Sequence, residues 1–433
     1  MAYKFENSLE GYQSNLALFH PLPTDTGVEH IQWIEYRPVS QLSTGSLIEF
    51  NVPPSSLEYI DLSKTRLHLK ARILRNDGTL VTPADNVAFV NQPLSSLIRQ
   101  ADVTLGQVNI TPTISTYYAQ KAYIDTILMN SEDAIESQLQ CYGFYKDTAS
   151  YMDATDPNLG GNAGLARRYL WTKDGHSYDL EGPIWVDCML QKRLILNGVQ
   201  VNVKLFPSSN EFVLMSETND YKIEITDAVL KVCHVRVNSS IILAHDHALD
   251  KNNAIYPYMR SNIKSFSVAA GIQSISQDDL FQGEVPTRVI VAITSSAAFN
   301  GTSNRNPFNF EHKNLSFLAV YIDGESRPTT PFTPNYKTNN YTPEYLSMFT
   351  GTGKYRKEAG NYISKEDHKS GYAVFVVDID SNHTKEFVSL SRRGHTRLSL
   401  RFADPLPEPV VILPYGQFYS NFQIDKARNI IIN

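Results

Sequence analysis

Between residues 66 and 73 the chain alternates without a break. Leu67, Leu69, Ala71 and Ile73 fall in one phase, and Arg66, His68, Lys70 and Arg72 in the other. Successive side chains leave a strand on opposite sides, so a period of two marks a strand with one buried and one wet face. A shorter strand over 47–52 precedes it and closes at Pro53-Pro54, where the backbone has no donors for a ladder. Two strands cannot bury themselves, so the remaining chain must supply a second sheet.

It supplies more than one. A single β-sandwich uses at most about 200–250 residues, so a chain of 433 residues is expected to hold two. Strand patterns recur over 31–36, 87–91, 101–105 and 108–110, the last two joined by Gly106-Gln107, a hairpin signal. They continue over 193–196 and 201–205 around Asn197-Gly198, over 211–215, and along a very long alternating run over 221–237. Asp227 and Lys231 interrupt the apolar phase of that run, which predicts bulges there. A second set covers 263–268, 287–294, 315–322, 372–379, 396–402, 410–414, 417–424 and 430–432. Asp323-Gly324 reads as a turn, and a proline-rich loop follows over 328–343.

Helical patterns interrupt the strands without alternating with them, which excludes a βαβ fold. Residues 117–130 carry Tyr117, Ile124 and Leu128 on one helical face, and Ser131 reads as the cap of a second short helix reaching about residue 139. Residues 239–249 form a helix between the two strand-rich halves, and 345–349 a further short one. Residues 146–182 read as loop. The expected architecture is all-β: two tandem eight-stranded jelly rolls with short helices in the loops and at the joint. The boundaries are an N-terminal arm over 1–30, a first jelly roll over 31–237, a helical linker over 238–262 and a second jelly roll over 263–433.

The formal net charge of −6 argues against a surface built mainly to grip nucleic acid. Basic clusters at Arg167-Arg168, Lys354 with Arg356 and Lys357, and Arg392-Arg393 read as solvated loops. Three widely spaced cysteines, Cys141, Cys188 and Cys233, are not a disulfide framework and suit a reducing compartment. Cys233 falls in the apolar phase of its strand and reads as core. The first ten residues are polar, unlike a secretory signal, so the sequons at Asn238, Asn300 and Asn382 read as unmodified. The run 158–164, NLGGNAG, lacks the lysine and the strand-to-helix context of a phosphate loop.

Catalytic chemistry finds no constellation. His30, His68, His176, His234, His312 and His395 are scattered, and His68 and His234 lie on the polar phase of their strands. His245 and His247 sit two apart on a helix, too far around its axis to share a metal. Glu211, Glu217 and Glu224 form no pair of the kind a glycosidase needs, and no Gly-x-Ser-x-Gly occurs. No catalytic, cofactor-binding or metal-binding residue is assigned, and no cofactor is expected. Tyr336, Tyr341 and Tyr345 suit a receptor or glycan contact, a place under a loop, or a subunit interface. A carbohydrate- or receptor-binding sandwich is the alternative function on these residues.

Seven stretches resemble one family: 47–73, 96–110, 193–205, 254–271, 283–310, 371–379 and 400–412. Most specific are Ala298-Phe299-Asn300-Gly301 and Asn306-Pro307-Phe308-Asn309-Phe310. The chain resembles the major capsid protein, or hexon, of adintoviruses and related Maverick/Polinton elements from about Ile31 to its end. The resemblance implies a double jelly roll that forms homotrimeric, pseudo-hexagonal capsomers tiling an icosahedral shell around double-stranded DNA. It implies neighbouring capsomers, penton and minor capsid proteins and a host receptor as partners, without strong direct nucleic-acid binding. It places the protein in the virion capsid, made in the host cytoplasm and assembled in nucleus or cytoplasm.

Overall fold

In a computed structural model the described residues are 14–16, 18–19, 21, 24–43, 45–111, 116–358, 360–380 and 392–432; the sequon at Asn382 lies outside them. The first half carries β1 (Val28–Tyr36), β2 (Ile48–Val52), β3 (Glu58–Arg75), β4 (Val87–Phe89), β5 (Ile98–Leu105), β6 (Val108–Asn109), β7 (Tyr178–Pro183), β8 (Val201–Pro207), β9 (Leu214–Ser216) and β10 (Tyr221–Val237). The second half carries β11 (Ala254–Ile263), β12 (Phe266–Val268), β13 (Ser274–Gln277), β14 (Arg288–Ser295), β15 (Leu315–Ile322), β16 (Glu325–Phe332), β17 (Val374–Asp378), β18 (Thr396–Phe402), β19 (Val410–Ile424) and β20 (Ile430–Ile432).

The first half forms the sheets β1-β10-β3-β7 and β2-β8-β5-β6; the second forms β11-β19-β14-β17 and β13-β18-β15-β16. The small β4–β9 ladder stands apart, and β12 and β20 extend β19. Without these extras each half has eight strands, and both halves pair them alike: first, eighth, third, sixth in one sheet and second, seventh, fourth, fifth in the other. All the ladders are antiparallel. Two facing four-stranded sheets in this order are a jelly roll, so the all-β expectation of two jelly rolls in tandem is what the chain forms.

Burial follows the sequence period where one face is wet. Along β3, Leu67, Leu69, Ala71 and Ile73 are buried while Arg66 is exposed and His68, Lys70 and Arg72 are partly so. The β10–β3 register slips between Ile225 and Asp227 and between Lys231 and Cys233, at the two interruptions that predicted bulges. All eight residues of β14 are buried, because the sheet has a core on each side. Val289, Val291 and Ile293 face Leu318, Val320, Leu398 and Leu400 inside the second jelly roll. Ile290 and Ala292, with Val374, Val376, Val411 and Leu413, turn the other way and join the core of the first half.

Several local expectations are corrected. The stretch 146–182 is not loop throughout: it holds the helix Ala163–Thr172 and the strand β7. Asn162 caps that helix by accepting from the Leu165 amide at 3.3 Å, so NLGGNAG is a helix entry. Gly164 is required there, since a Cβ would stand 2.6 Å from the Lys146 carbonyl oxygen and 2.7 Å from that of Tyr145. Residues 193–196 form no strand. The Asn197-Gly198 turn is tied instead to the loop before β3: the Gly198 amide donates to the Ser55 carbonyl and the Asn197 side chain to that of Ser56.

Residues 210–213 are a helical turn before β9. The linker reading over 238–262 divides into the helix Ser239–Leu249 and most of β11. The proline-rich stretch begins as β16, an edge strand where Pro328 and Pro331 cost no ladder donors. Residues 410–424 are one strand, not two. Ser131 precedes a helix of only Glu132–Ile135 and makes no side-chain cap.

Candidate functional surfaces

Among the described residues no group of three or more His, Cys, Asp or Glu side chains could hold a metal ion. The scattered histidines each have a local explanation. His68 pairs with Asp179 at 2.5 Å on the wet side of the first sheet. His234 departs from the polar-phase expectation: it is buried, with Tyr36 Oη 3.1 Å from Nε2 and Glu58 Oε2 3.1 Å from Nδ1. Burial pulls its imidazole below the ordinary value, and Glu58 opposes that shift. His30, His176 and His395 are exposed and far apart in the fold. Glu224 pairs with Arg72 at 2.5 Å, and Glu211 and Glu217 are exposed with no partner carboxylate across a cleft. Cys188 and Cys233 are buried thiols, both pushed up by burial, which suppresses the nucleophilic thiolate.

Tyr336 and Tyr341 are buried. Tyr336 stacks on His312 at 3.7 Å and on Tyr341 at 4.9 Å, and His368 lies beneath them, 6.0 Å from Tyr341. Burial holds both histidines down at about 4. The His312 Nδ1 accepts the Asn314 amide at 2.9 Å, which requires that nitrogen to be unprotonated.

The most elaborate chemistry lies at the joint between the jelly rolls. The helix Tyr118–Met129 is buried on every side from Tyr118 to Leu128, so its sequence shows little apolar bias to one face. Tyr123 stacks on Phe308 at 4.3 Å, with Phe310 edge-on at 6.0 Å. The Asn306–Phe310 motif therefore fills the joint. Lys121 lies 3.0 Å from both Asp125 and Asp187. Burial pushes its ammonium down, but the two carboxylates outweigh it and hold Lys121 charged. Asp125 accepts from Tyr415 at 2.9 Å, and Asp187 from the Ser261 amide at 2.7 Å, so first-half acids are satisfied by second-half donors.

A second clamp centres on Arg168, read from sequence as solvated but wholly buried. Its Nε donates to the Phe89 carbonyl at 2.8 Å, Nη1 to the Tyr145 carbonyl at 2.9 Å and Nη2 to Asp147 Oδ1 at 2.7 Å. Asp147 then reaches across the joint. Its carbonyl accepts from Tyr372 Oη at 2.7 Å and its Oδ2 from Asn306 at 3.3 Å. Sequence reasoning missed this set, although Lys121 and Asp125 stand four apart on a helix, a spacing that signals a pair.

Beside the joint runs a groove of 710 Å³ lined by Trp185, Arg193, Met259, Arg288, Asp378 and Tyr419, among others. Met129, Leu190 and Met259 leave apolar surface exposed along it. The helix Ala163–Thr172 presents Leu170 and Trp171 to the outside.

No family model matches the chain. Over 429 residues it is 22% identical to uncharacterized protein F54H12.2 of Caenorhabditis elegans, covering 95% of this chain and 99% of that protein. Its fold is similar to a chain of the Sputnik virophage structure determined by cryo-EM, with a TM-score of 0.60, 12% identity and 99% of this chain and 93% of that one covered. The mavirus major capsid protein matches with a TM-score of 0.52 and 11% identity over 100% of this chain and 97% of that one. The Faustovirus major capsid protein matches at 0.54 and 8% identity over 93% and 92%. The chain thus has the double jelly-roll fold of viral major capsid proteins.

Proposed function

We propose that this chain is a major capsid protein of the adintovirus and Maverick/Polinton type, acting by shape complementarity without bond making. The observation that carries this is the doubled strand order. Two jelly rolls of the same strand order are locked into one body by buried charged and aromatic contacts, and the likeness covers 92–97% of the solved chains. Three such chains present six similar lobes, which suits a homotrimer with pseudo-hexagonal outline. Such capsomers tile an icosahedral shell around double-stranded DNA, joined by penton and minor capsid proteins, with outward loops free to meet a host receptor. The protein is then a virion component, made in the host cytoplasm and assembled there or in the nucleus, with no catalytic role. Within it, β1 to β10 and β11 to β20 act as the two jelly rolls and the helix Ser239–Leu249 as part of their joint.

Light scattering and negative-stain microscopy of the full chain test this reading. The expected result is a mass of three chains or larger, held by an obligate interface of more than about 2,000 Å². A monomer at concentrations up to about 1 μM, well above the Kd of an obligate assembly, overturns it.

A further inference from the structure

The two jelly rolls treat the cations on their outward sheets differently. On the β1-β10-β3-β7 sheet three cations are neutralised within the chain: Arg66 pairs with Glu181 at 3.1 Å, Lys231 with Glu181 at 2.7 Å and Arg72 with Glu224 at 2.5 Å. On the β13-β18-β15-β16 sheet Arg327 pairs with Glu325 at 3.0 Å, but two arginines of β18 are held by aromatic rings instead. There Phe317, Ala319 and Tyr321 of β15 lie opposite Arg401, Ser399 and Arg397 of β18. Leu318, Val320, Leu398 and Leu400 point the other way into the core, so these six side chains lie on the outer side of the sheet, where Arg397 and Arg401 are exposed, Phe317, Tyr321 and Ser399 partly so, and Ala319 is covered. Ser274 and Ser276 of β13 continue it.

Each arginine lies over the ring directly opposite. The Arg397 guanidinium carbon is 4.5 Å from the Tyr321 ring centre and that of Arg401 is 5.0 Å from Phe317. Stacking holds a guanidinium by its face and leaves its N–H donors at the rim, pointing outward. The nearest carboxylate to Arg397 is Asp278, 3.9 Å away and largely exposed, and Arg401 has no carboxylate partner among the described residues. Two pre-oriented forks therefore stand four residues apart on one strand, about 13 Å, with a floor of small side chains between them.

We infer that this face is a docking surface for carboxylates of a second copy of the chain, and so a contact by which capsomers form or join. The inference rests on the assembly reading above and names the surface. Arginine and aromatic residues together are the composition of an interface centre. Each fork suits bidentate binding of a carboxylate. The chain carries acidic excess, −6 overall, and exposes carboxylates such as Asp133 and Glu217, so a second copy brings the complementary charge. The partner must dock on the face and not along the edges, because β13 is only four residues long and β16 carries Pro328 and Pro331. The contact joins unlike patches, which builds closed rings or lattices.

The test compares the full-length wild type with R397E/R401E and R397K/R401K by light scattering, from low salt to about 0.5 M. Thermal melting by circular dichroism checks the fold of each. Wild-type association is expected to weaken with salt, and R397E/R401E to need at least about tenfold higher concentration to associate while melting like the wild type. R397K/R401K should fall between, since lysine keeps the charge and loses the fork. If the wild type assembles and R397E/R401E assembles equally well, this inference fails and the capsid reading stands. If the wild type is monomeric throughout, the capsid reading fails and takes this surface with it. Binding of a DNA oligonucleotide that R397E/R401E abolishes, with assembly intact, assigns the face to nucleic acid and overturns the inference.

Discussion

Replacing Arg168 with methionine tests whether the buried clamp holds the two jelly rolls as one body. Arg168 and Asp147 are both 0% exposed and 2.7 Å apart. Removing one partner of such a pair leaves the other buried without its counter-charge, at a cost of about 3–5 kcal/mol. The Phe89 and Tyr145 carbonyls also lose donors, each worth about 1–3 kcal/mol, though these losses overlap and do not simply add. At about 2.1 cal/mol/K per residue, a 433-residue unit unfolds with an entropy near 0.9 kcal/mol/K. A loss of about 3–5 kcal/mol then lowers a single shared transition by roughly 3–6 °C. Were the halves to unfold separately, one transition would fall about twice as far and the other would not move. Scanning calorimetry distinguishes these outcomes. R168K should recover part of the loss, because one ammonium cannot serve two carbonyls and a carboxylate in the guanidinium's geometry. A drop below about 1 °C for Arg168→Met, within the range of an ordinary surface change, refutes the reasoning.

Two further outcomes follow from the same contacts. Gly164→Ala places a Cβ against the Tyr145 and Lys146 carbonyl oxygens and should cost about 1–3 kcal/mol, read as a lower melting temperature; an unchanged melt refutes the close approach. His312 and His368 sit near 4 in the folded chain against 6.5 unfolded, so the unfolded chain binds more protons between those values. Their stabilisation is complete above about pH 6.5 and is lost as pH falls toward 4, by at most about 3 kcal/mol each. Melting temperature against pH should show that slope, and H368Q should flatten it.

Recognition of the fold from residues depended on one wet face. In β3 solvent enforces alternation, so it was readable, and in β10 the polar interruptions at Asp227 and Lys231 marked the bulges. The helix Ser239–Leu249 was readable for the same reason: it lies on the surface with most residues partly or fully exposed. Where solvent is absent or the strand is short, the local signal fades. β13 and β7 passed unread, and the helix Tyr118–Met129, buried from Tyr118 to Leu128, showed an incomplete apolar face. The clamp was illegible because Asp147 meets Tyr372 across 225 positions and Arg168 looks like any surface arginine.

The amino-acid order alone settled that the chain is β-rich and doubled, because hydrophobic period is a local property. Tertiary structure alone decided which charges are spent inside and which are left outside. Arg168 disappears into the joint while Arg397 and Arg401 remain over their rings at the surface, and only the packing of distant segments determines which carboxylates each can reach.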